Sequence, residues 1–239
     1  FFYIQNMLNI FFPMAGAGSR FGGIFKPFIK IDEKTFIEHT IESFKNFKNL
    51  IDCYYFIILQ EQELEFNVSE QLNNMFPNIN KKIIYLKDKT NGSAETLRQA
   101  LIISDVKNNI ISCDCDHYLT LDDYMYIIEN KDPDVLLPMW EIDNVKNWSV
   151  VTLLNGKVID ISEKSIPATQ GDIYGVIGCY YLKDVEHFLN TFNNYINISD
   201  YIKTILHKNI LGVFCEEAHF YGDPERLKNF KNFLQKTSI

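Results

Sequence analysis

The chain reads as an α/β protein, a mainly parallel mixed sheet flanked by helices. Three observations predict this. Short apolar runs alternate with amphipathic stretches along all 239 residues, the pattern of strand–helix–strand units. The first apolar run leads directly into a glycine-rich segment, residues 15–23, as a strand does when it feeds a turn at the edge of a sheet. Later, Asn155-Gly156 separates two short apolar runs, which signals a tight hairpin in the second half.

Taken in order, residues 8–14 form a first buried strand. Phe36, Ile37, Thr40, Ile41, Phe44 and Phe47 then fall on one helical face. Residues 54–59 give a second strand, 62–75 a weaker helix and 82–86 a third strand. Asn91-Gly92-Ser93 breaks the chain, and Ser93 caps a helix reaching about residue 104. Residues 110–113 form a fourth strand that runs into Asp114 and Asp116. After residues 134–139 the character of the chain changes: the hairpin strands occupy 150–154 and 157–161, followed by a strand over 174–182. Two helical patterns cover 184–194 and 199–208, a late strand covers 212–215, and Pro224 opens a closing helix to about residue 234. No linker or repeat interrupts this. We expect one domain over 1–239, with a first half at about 8–139 and a second half at about 140–235.

The composition is 46% hydrophobic and 23% charged, ordinary for a globular protein. A formal net charge of −8 argues against nucleic acid or an acidic membrane as partner, since both require a basic face. Five scattered cysteines without a CxxC pair read as core thiols of a cytoplasmic protein. The apolar N-terminal run, 1–12, lacks a basic leader and falls short of the roughly 20 residues a membrane helix needs. Met7 reads as a start.

The segment Phe12-Pro13-Met14-Ala15-Gly16-Ala17-Gly18-Ser19-Arg20-Phe21 is the most informative. Glycines at a strand end let backbone N–H groups approach phosphate oxygens, and Arg20 adds a forked cation. Two common phosphate loops fail. A GxGxxG fingerprint requires glycine where Phe21 stands, and a Walker A loop requires lysine where Ile24 stands. Lys26, stiffened by Pro27, supplies a second cation.

With the helix Phe36-Ile37-Glu38-His39-Thr40-Ile41-Glu42, these residues resemble the sugar-phosphate nucleotidyltransferase family. The resemblance implies a Rossmann-like, GT-A-like fold and transfer of a nucleoside monophosphate from a triphosphate to a small phosphorylated metabolite, with pyrophosphate released. It implies that Ala15, Gly16, Ala17, Gly18, Ser19, Arg20 and Lys26 contact the triphosphate, and that backbone groups at Ala15, Gly16, Gly92 and Ser93 read the base. Phe25 departs from the pattern, standing where proline usually precedes the lysine. The look is closest to capsule- and surface-polymer-associated cytidylyltransferases, including phosphoramidate-pathway members, which favours CTP.

Asp114 and Asp116 would point the same way along a continuing strand, and hard oxygen ligands facing a phosphate loop suit Mg²⁺. By resemblance, Asp116 is the metal-binding aspartate, Asp114 a variable position, and His117 reads as a surface histidine. A second metal aspartate of many relatives is replaced by Phe220, leaving Glu216, Glu217 or Asp223 as candidates, while His219 matches the capsule-associated branch. Glu163-Lys164 resembles the element whose lysine holds the acceptor's phosphate, and Trp148, Tyr174, Gly178 and Asp200 line the acceptor pocket by the same resemblance. The expected catalytic set is therefore Arg20, Lys26, Asp116 and Lys164. The acceptor is a sugar phosphate, an amino-acid-derived phosphate or a choline-like phosphate, and an oligomer is compatible with the sequence.

Two alternatives stand beside this reading. Asp114-Cys115-Asp116 would serve as the DxD metal motif of a glycosyltransferase that uses a finished sugar nucleotide. A non-catalytic nucleotide-binding module would account for the missing second aspartate.

Overall fold

A computed structural model of the chain describes residues 7–142 and 144–237. The stretch before Met7, part of the apolar N-terminal run, lies outside them. β1 (Leu8–Pro13) carries the glycine loop, and two short strands, β2 (Lys30–Ile31) and β3 (Lys34–Thr35), precede α1 (Phe36–Glu42). Then follow β4 (Ile51–Leu59), α2 (Gln60–Phe66), α3 (Val68–Met75), β5 (Lys81–Leu86), α4 (Ser93–Ser104) and β6 (Ile110–Cys113). A short β7 (His117–Leu119) and α5 (Asp122–Lys131) lead to β8 (Val135–Trp140). The second half comprises β9 (Ser149–Leu154), β10 (Lys157–Glu163), β11 (Asp172–Val176), β12 (Cys179–Leu182), α6 (Val185–Asn190) and α7 (Ile198–Thr204). It closes with β13 (Ile210–Phe214), β14 (Ala218–Phe220) and α8 (Pro224–Thr237).

Ten strands form one sheet in the order β11-β9-β10-β13-β8-β12-β6-β1-β4-β5. Parallel pairing joins β6, β1, β4 and β5, and also β8 with β13. The other contacts of the second half are antiparallel. The end of β11 also pairs with the end of β8, Gly175 opposite Trp140, so the sheet folds back on itself there. From β1 the chain runs outward to β4 and β5, then returns to β6 on the other side of β1. Strand order reverses at this point, and a crevice opens beyond the carboxyl ends of β1 and β6.

The alternation of side chains explains why the central strands bury both faces. Leu8, Ile10 and Phe12 join Tyr54, Phe56 and Ile58 in one apolar layer. Phe11, Tyr55, Ile57 and Leu59 join the opposite layer beneath α4 and α7. Each buried aromatic or aliphatic side chain there contributes roughly 1.5–3 kcal/mol relative to exposure. A smaller cluster of Ile31, Phe36, Tyr221 and Phe230 pins α8 against α1. The five cysteines are free, four of them buried, as core thiols.

Several elements differ from the sequence reading for identifiable reasons. The helical face from Phe36 to Phe47 is split: α1 ends at Glu42 and a 3-10 turn, Lys45–Leu50, carries Phe47. Ser43, at that break, accepts the Leu119 N–H at 2.9 Å, tying α1 to β7. Asn67 at φ 50° divides the helix expected at 62–75 into α2 and α3. The strand expected over 174–182 breaks between β11 and β12, because the Gly178 carbonyl turns aside to accept the Asp114 N–H at 2.7 Å. α5 fills a stretch to which no element was assigned; Tyr124, Met125 and Ile128 form its buried face.

Candidate active site

The loop after β1 is held open by its own backbone. Gly18 has φ 61°, and a Cβ there would lie 2.2 Å from the Ile24 carbonyl oxygen, so no larger residue fits. The Gly18 carbonyl accepts N–H bonds from Phe21 and Gly23 at 2.9 and 3.2 Å. Gln62, at the start of α2, donates to the Gly16 carbonyl at 3.0 Å and accepts the Leu59 N–H at 2.9 Å. A cleft of about 300 Å³ results, lined by Gly16, Gly18, Ser19, Arg20 and Lys26 on one side and by Asp114 and Asp116 on the other.

β6 ends at Cys113, so the two aspartates leave the strand, yet both still face the cleft. Each carboxylate sits against a glycine: a Cβ on Gly178 would come within 2.1 Å of Asp114 Oδ2, and one on Gly222 within 2.2 Å of Asp116 Oδ2. Asp116 Oδ2 accepts from Lys26 Nζ at 2.7 Å, and its carbonyl accepts the Tyr221 N–H at 3.0 Å. The two side chains keep 30% and 22% of their surface, so the pair remains open to a ligand that competes for it.

The two acids are driven apart electrostatically. Desolvation would raise Asp116, but Lys26 outweighs it, aided by His117 and Arg20, and holds the carboxyl below its usual range. Burial works against the charge of Lys26 as well, and Asp116 more than offsets it, so this ammonium stays protonated. Asp114 has no cation in contact; partial enclosure at the cleft floor and the Asp116 charge push it up to about 7, although its outer surface is open to cleft water. His117 is buried, not a surface residue: its Nε2 lies 3.5 Å from Cys113 Sγ, and burial lowers it to about 4 against the pull of Asp116. It is a neutral wall of the site at pH 7.

A second cavity of about 200 Å³ opens from the same carboxylates. Trp148, Glu163 and Gly178, expected at the acceptor, line it, and so does Ser93, which was expected at the base and does not line the first cleft. Glu163 is fixed by the hydroxyls of Ser149 and Ser199, at 2.5 and 3.0 Å from its Oε2. Lys164 lies in a neighbouring recess with Arg20, its backbone in the left-handed region at φ 53° and its N–H bonded to the Trp148 carbonyl at 2.8 Å.

Other expected residues are placed elsewhere. Ala15 and Ala17 are on the loop but do not line the first cleft. Gly92 precedes α4, where its carbonyl accepts the Thr96 N–H at 3.0 Å. Tyr174 packs edge-on against Phe214 at 4.6 Å, and Asp200 forms a capping box with Asn197 at the start of α7. Neither Glu217 nor Asp223 joins Asp116. Glu217 is 2.6 Å from His219, and Asp223 accepts the N–H groups of Glu225 and Arg226 at the start of α8. Glu216 is exposed. Among the described residues no group of three or more His, Cys, Asp or Glu is gathered to hold a metal. Asp114 and Asp116 are the carboxylates that share the cleft, and this suits a cation that takes its remaining ligands from phosphate and water.

Sequence reasoning passed over Asn147, Tyr180, Asn197 and Arg226, all of which line the second cavity. Burial, followed by the Asp114 charge, raises the Tyr180 phenol and keeps it a neutral donor.

No family model and no curated protein matches the sequence. Solved structures do match in fold. A nucleoside-diphosphate-sugar pyrophosphorylase from Vibrio cholerae is 22% identical with a TM-score of 0.74, covering 93% of this chain and 99% of that one. A UDP-glucose pyrophosphorylase, 17% identical, superposes at 0.79 over 98% of this chain and 100% of its own. The inositol-1-phosphate CTP transferase of T. maritima is 12% identical at 0.76, covering 97% and 96%. The chain thus has, over nearly its whole length, the mixed α/β Rossmann-like fold of these nucleotidyltransferases.

Proposed function

We propose that this chain is a nucleotidyltransferase that transfers a nucleoside monophosphate, CMP from CTP, to a small phosphorylated metabolite and releases pyrophosphate. The observation that carries the reading is the single cleft in which the Gly16–Arg20 loop and Lys26 face Asp114 and Asp116. The choice of CTP rests on the resemblance to capsule-associated cytidylyltransferases and on one structurally similar protein that is a CTP transferase. Capsule or surface-polymer assembly is the outlet this resemblance implies.

In this reading backbone N–H groups of the loop and the cations Arg20 and Lys26 receive the triphosphate. Asp116 and Asp114 would hold Mg²⁺, which when bound neutralises phosphate charge and favours the ionised form of Asp114. Lys26, within reach of both the loop and Asp116, compensates the carboxylate before nucleotide binds and the departing phosphates afterwards. A phosphate oxygen of the acceptor, already anionic, attacks the α-phosphorus. The new P–O bond forms as the α–β bridge breaks, and pyrophosphate leaves with the electron pair. No general base is required, because the nucleophile carries no proton. The work of the chain is alignment and charge stabilisation.

The test is thermal unfolding with Mg²⁺ and each of CTP, UTP, GTP, ATP and dTTP. A ligand at about 100 times its Kd stabilises the fold by roughly 2.7 kcal/mol, or about 5–10 °C for a chain of this size. A Mg²⁺-dependent shift largest for CTP supports the reading. Stabilisation by a sugar nucleotide or a nucleoside diphosphate alone favours the glycosyltransferase alternative, which the paired aspartates also fit.

A further inference from the structure

Beyond the carboxylates the cleft continues into a recess of about 260 Å³ lined by Arg20, Asn147, Lys164, Asp223 and Arg226. Arg20, Asn147 and Arg226 also line the second cavity, so the two spaces share a wall. Three cations therefore converge in a chain whose net charge is −8. Their countercharge comes from Asp223, Glu163 and, acting on Arg20, Asp116, and each of these carboxylates has other partners. Asp223 spends one oxygen on the N–H groups of Glu225 and Arg226 and meets Arg226 Nε with the other at 3.3 Å. Lys164 lies 3.8 Å from Glu163, whose other oxygen is held by two serines. Among the described residues Arg20 has no ion pair, and neither Arg20 nor Arg226 has a side-chain hydrogen bond within the protein.

Arg226 is also held in place. Its guanidinium lies over the Trp148 ring at 4.5 Å and near Phe220 at 6.0 Å, and Trp140 packs against both aromatics at 4.6 and 4.5 Å. A stacked guanidinium keeps its edge donors free for a planar or tetrahedral anion. It also covers an aromatic face that would otherwise attract an organic cation.

Resting on the nucleotidyltransferase reading, we infer that Arg226 determines acceptor specificity. Together with Lys164 and Arg20 it binds the phosphate of an acceptor presented as a phosphate monoester dianion, and it excludes acceptors that depend on a cationic head group against Trp148. The ligand class is thus an anionic phosphate monoester without a quaternary ammonium. Recognition involves no covalent step.

Trp140 and Trp148 are the only two tryptophans of the chain, so intrinsic fluorescence reports on this corner. The experiment titrates the full chain with glycerol phosphate, and separately with choline, in the presence of Mg²⁺ and the triphosphate that stabilises it best. We expect a saturable change with glycerol phosphate and none with choline. Arg226→Gln should weaken glycerol phosphate binding at least tenfold while keeping the melting shift with triphosphate. Asp223→Asn, which retains a good helix cap but removes the recess carboxylate, should tighten it severalfold. Unchanged glycerol phosphate affinity in both variants, or a response to choline in its place, overturns the inference. If wild-type chain shows Arg226-dependent glycerol phosphate binding but no shift with any triphosphate, the anion subsite stands and the nucleotidyltransferase reading falls.

Discussion

Asp114→Asn should make the protein more stable and less active. Asp114 faces Asp116 across one cleft without a cation of its own, and its carboxyl is pushed up to about 7 from an ordinary value of 3.8. The folded chain therefore holds a proton on Asp114 that the unfolded chain releases. Between about pH 4 and pH 7 stability falls as pH rises, and the full penalty is present above pH 7. A sealed carboxyl held up that far would cost about 4 kcal/mol at pH 8. Asp114 opens onto cleft water, so screening reduces this to about 1 kcal/mol. Asparagine has the same shape and no charge. In EDTA at pH 8 the variant should melt about 2–4 °C above wild type. At pH 4 the two should coincide, and Mg²⁺ should narrow the gap at pH 8 by stabilising the wild type. Calorimetry across pH 4–8 is the assay. A variant that is no more stable at pH 8, or is equally stabilised at pH 4, would refute the reasoning about paired carboxylates.

Other outcomes follow from the same geometry. Asp116→Ala should lower turnover on the order of 100-fold or more, measured as pyrophosphate release, because it removes the carboxylate paired with Lys26 at 2.7 Å. Gln62→Ala leaves the Gly16 carbonyl and the Leu59 N–H without their partner, so the triphosphate KM should rise several-fold with kcat little changed, and stability should drop by about 1–2 kcal/mol. Gly178→Ala forces the Asp114 carboxylate out of a contact of 2.1 Å; Mg²⁺ titration should show weakened affinity while far-ultraviolet circular dichroism stays native.

The sheet was legible because its strands bury both faces and read as unbroken apolar runs, as in Tyr54–Phe56–Ile58 against Tyr55–Ile57–Leu59. The glycine loop was legible because its glycines and Arg20 serve a local geometry that the sequence must encode contiguously. The carboxylate pair was legible in position, but the importance of Asp114 was not, since that depends on Gly178, which is 64 residues away in sequence. The same holds for His117, whose burial follows from contacts with α1 and β14 that no local pattern announces. Arg226 was invisible for a different reason: one arginine on an amphipathic helix looks like solvated surface until Trp148 and Phe220 are seen beneath it. Conversely, Tyr174 and Asp200 were expected in the pocket on resemblance, and their side chains are engaged in a ring contact and a helix cap.

The most direct test of the central claim is the fate of the phosphates. The purified chain is incubated with Mg²⁺ and CTP labelled either at the α- or at the γ-phosphorus, together with hexose 1-phosphates, phosphorylated amino acids and glycerol phosphate in turn. The account predicts that with one acceptor class the γ label appears in pyrophosphate and the α label in a new nucleoside diphosphate-linked product, in equal amounts and only when both substrates are present. Intact CTP with every acceptor, or a label that passes to free nucleoside diphosphate and inorganic phosphate, would contradict it.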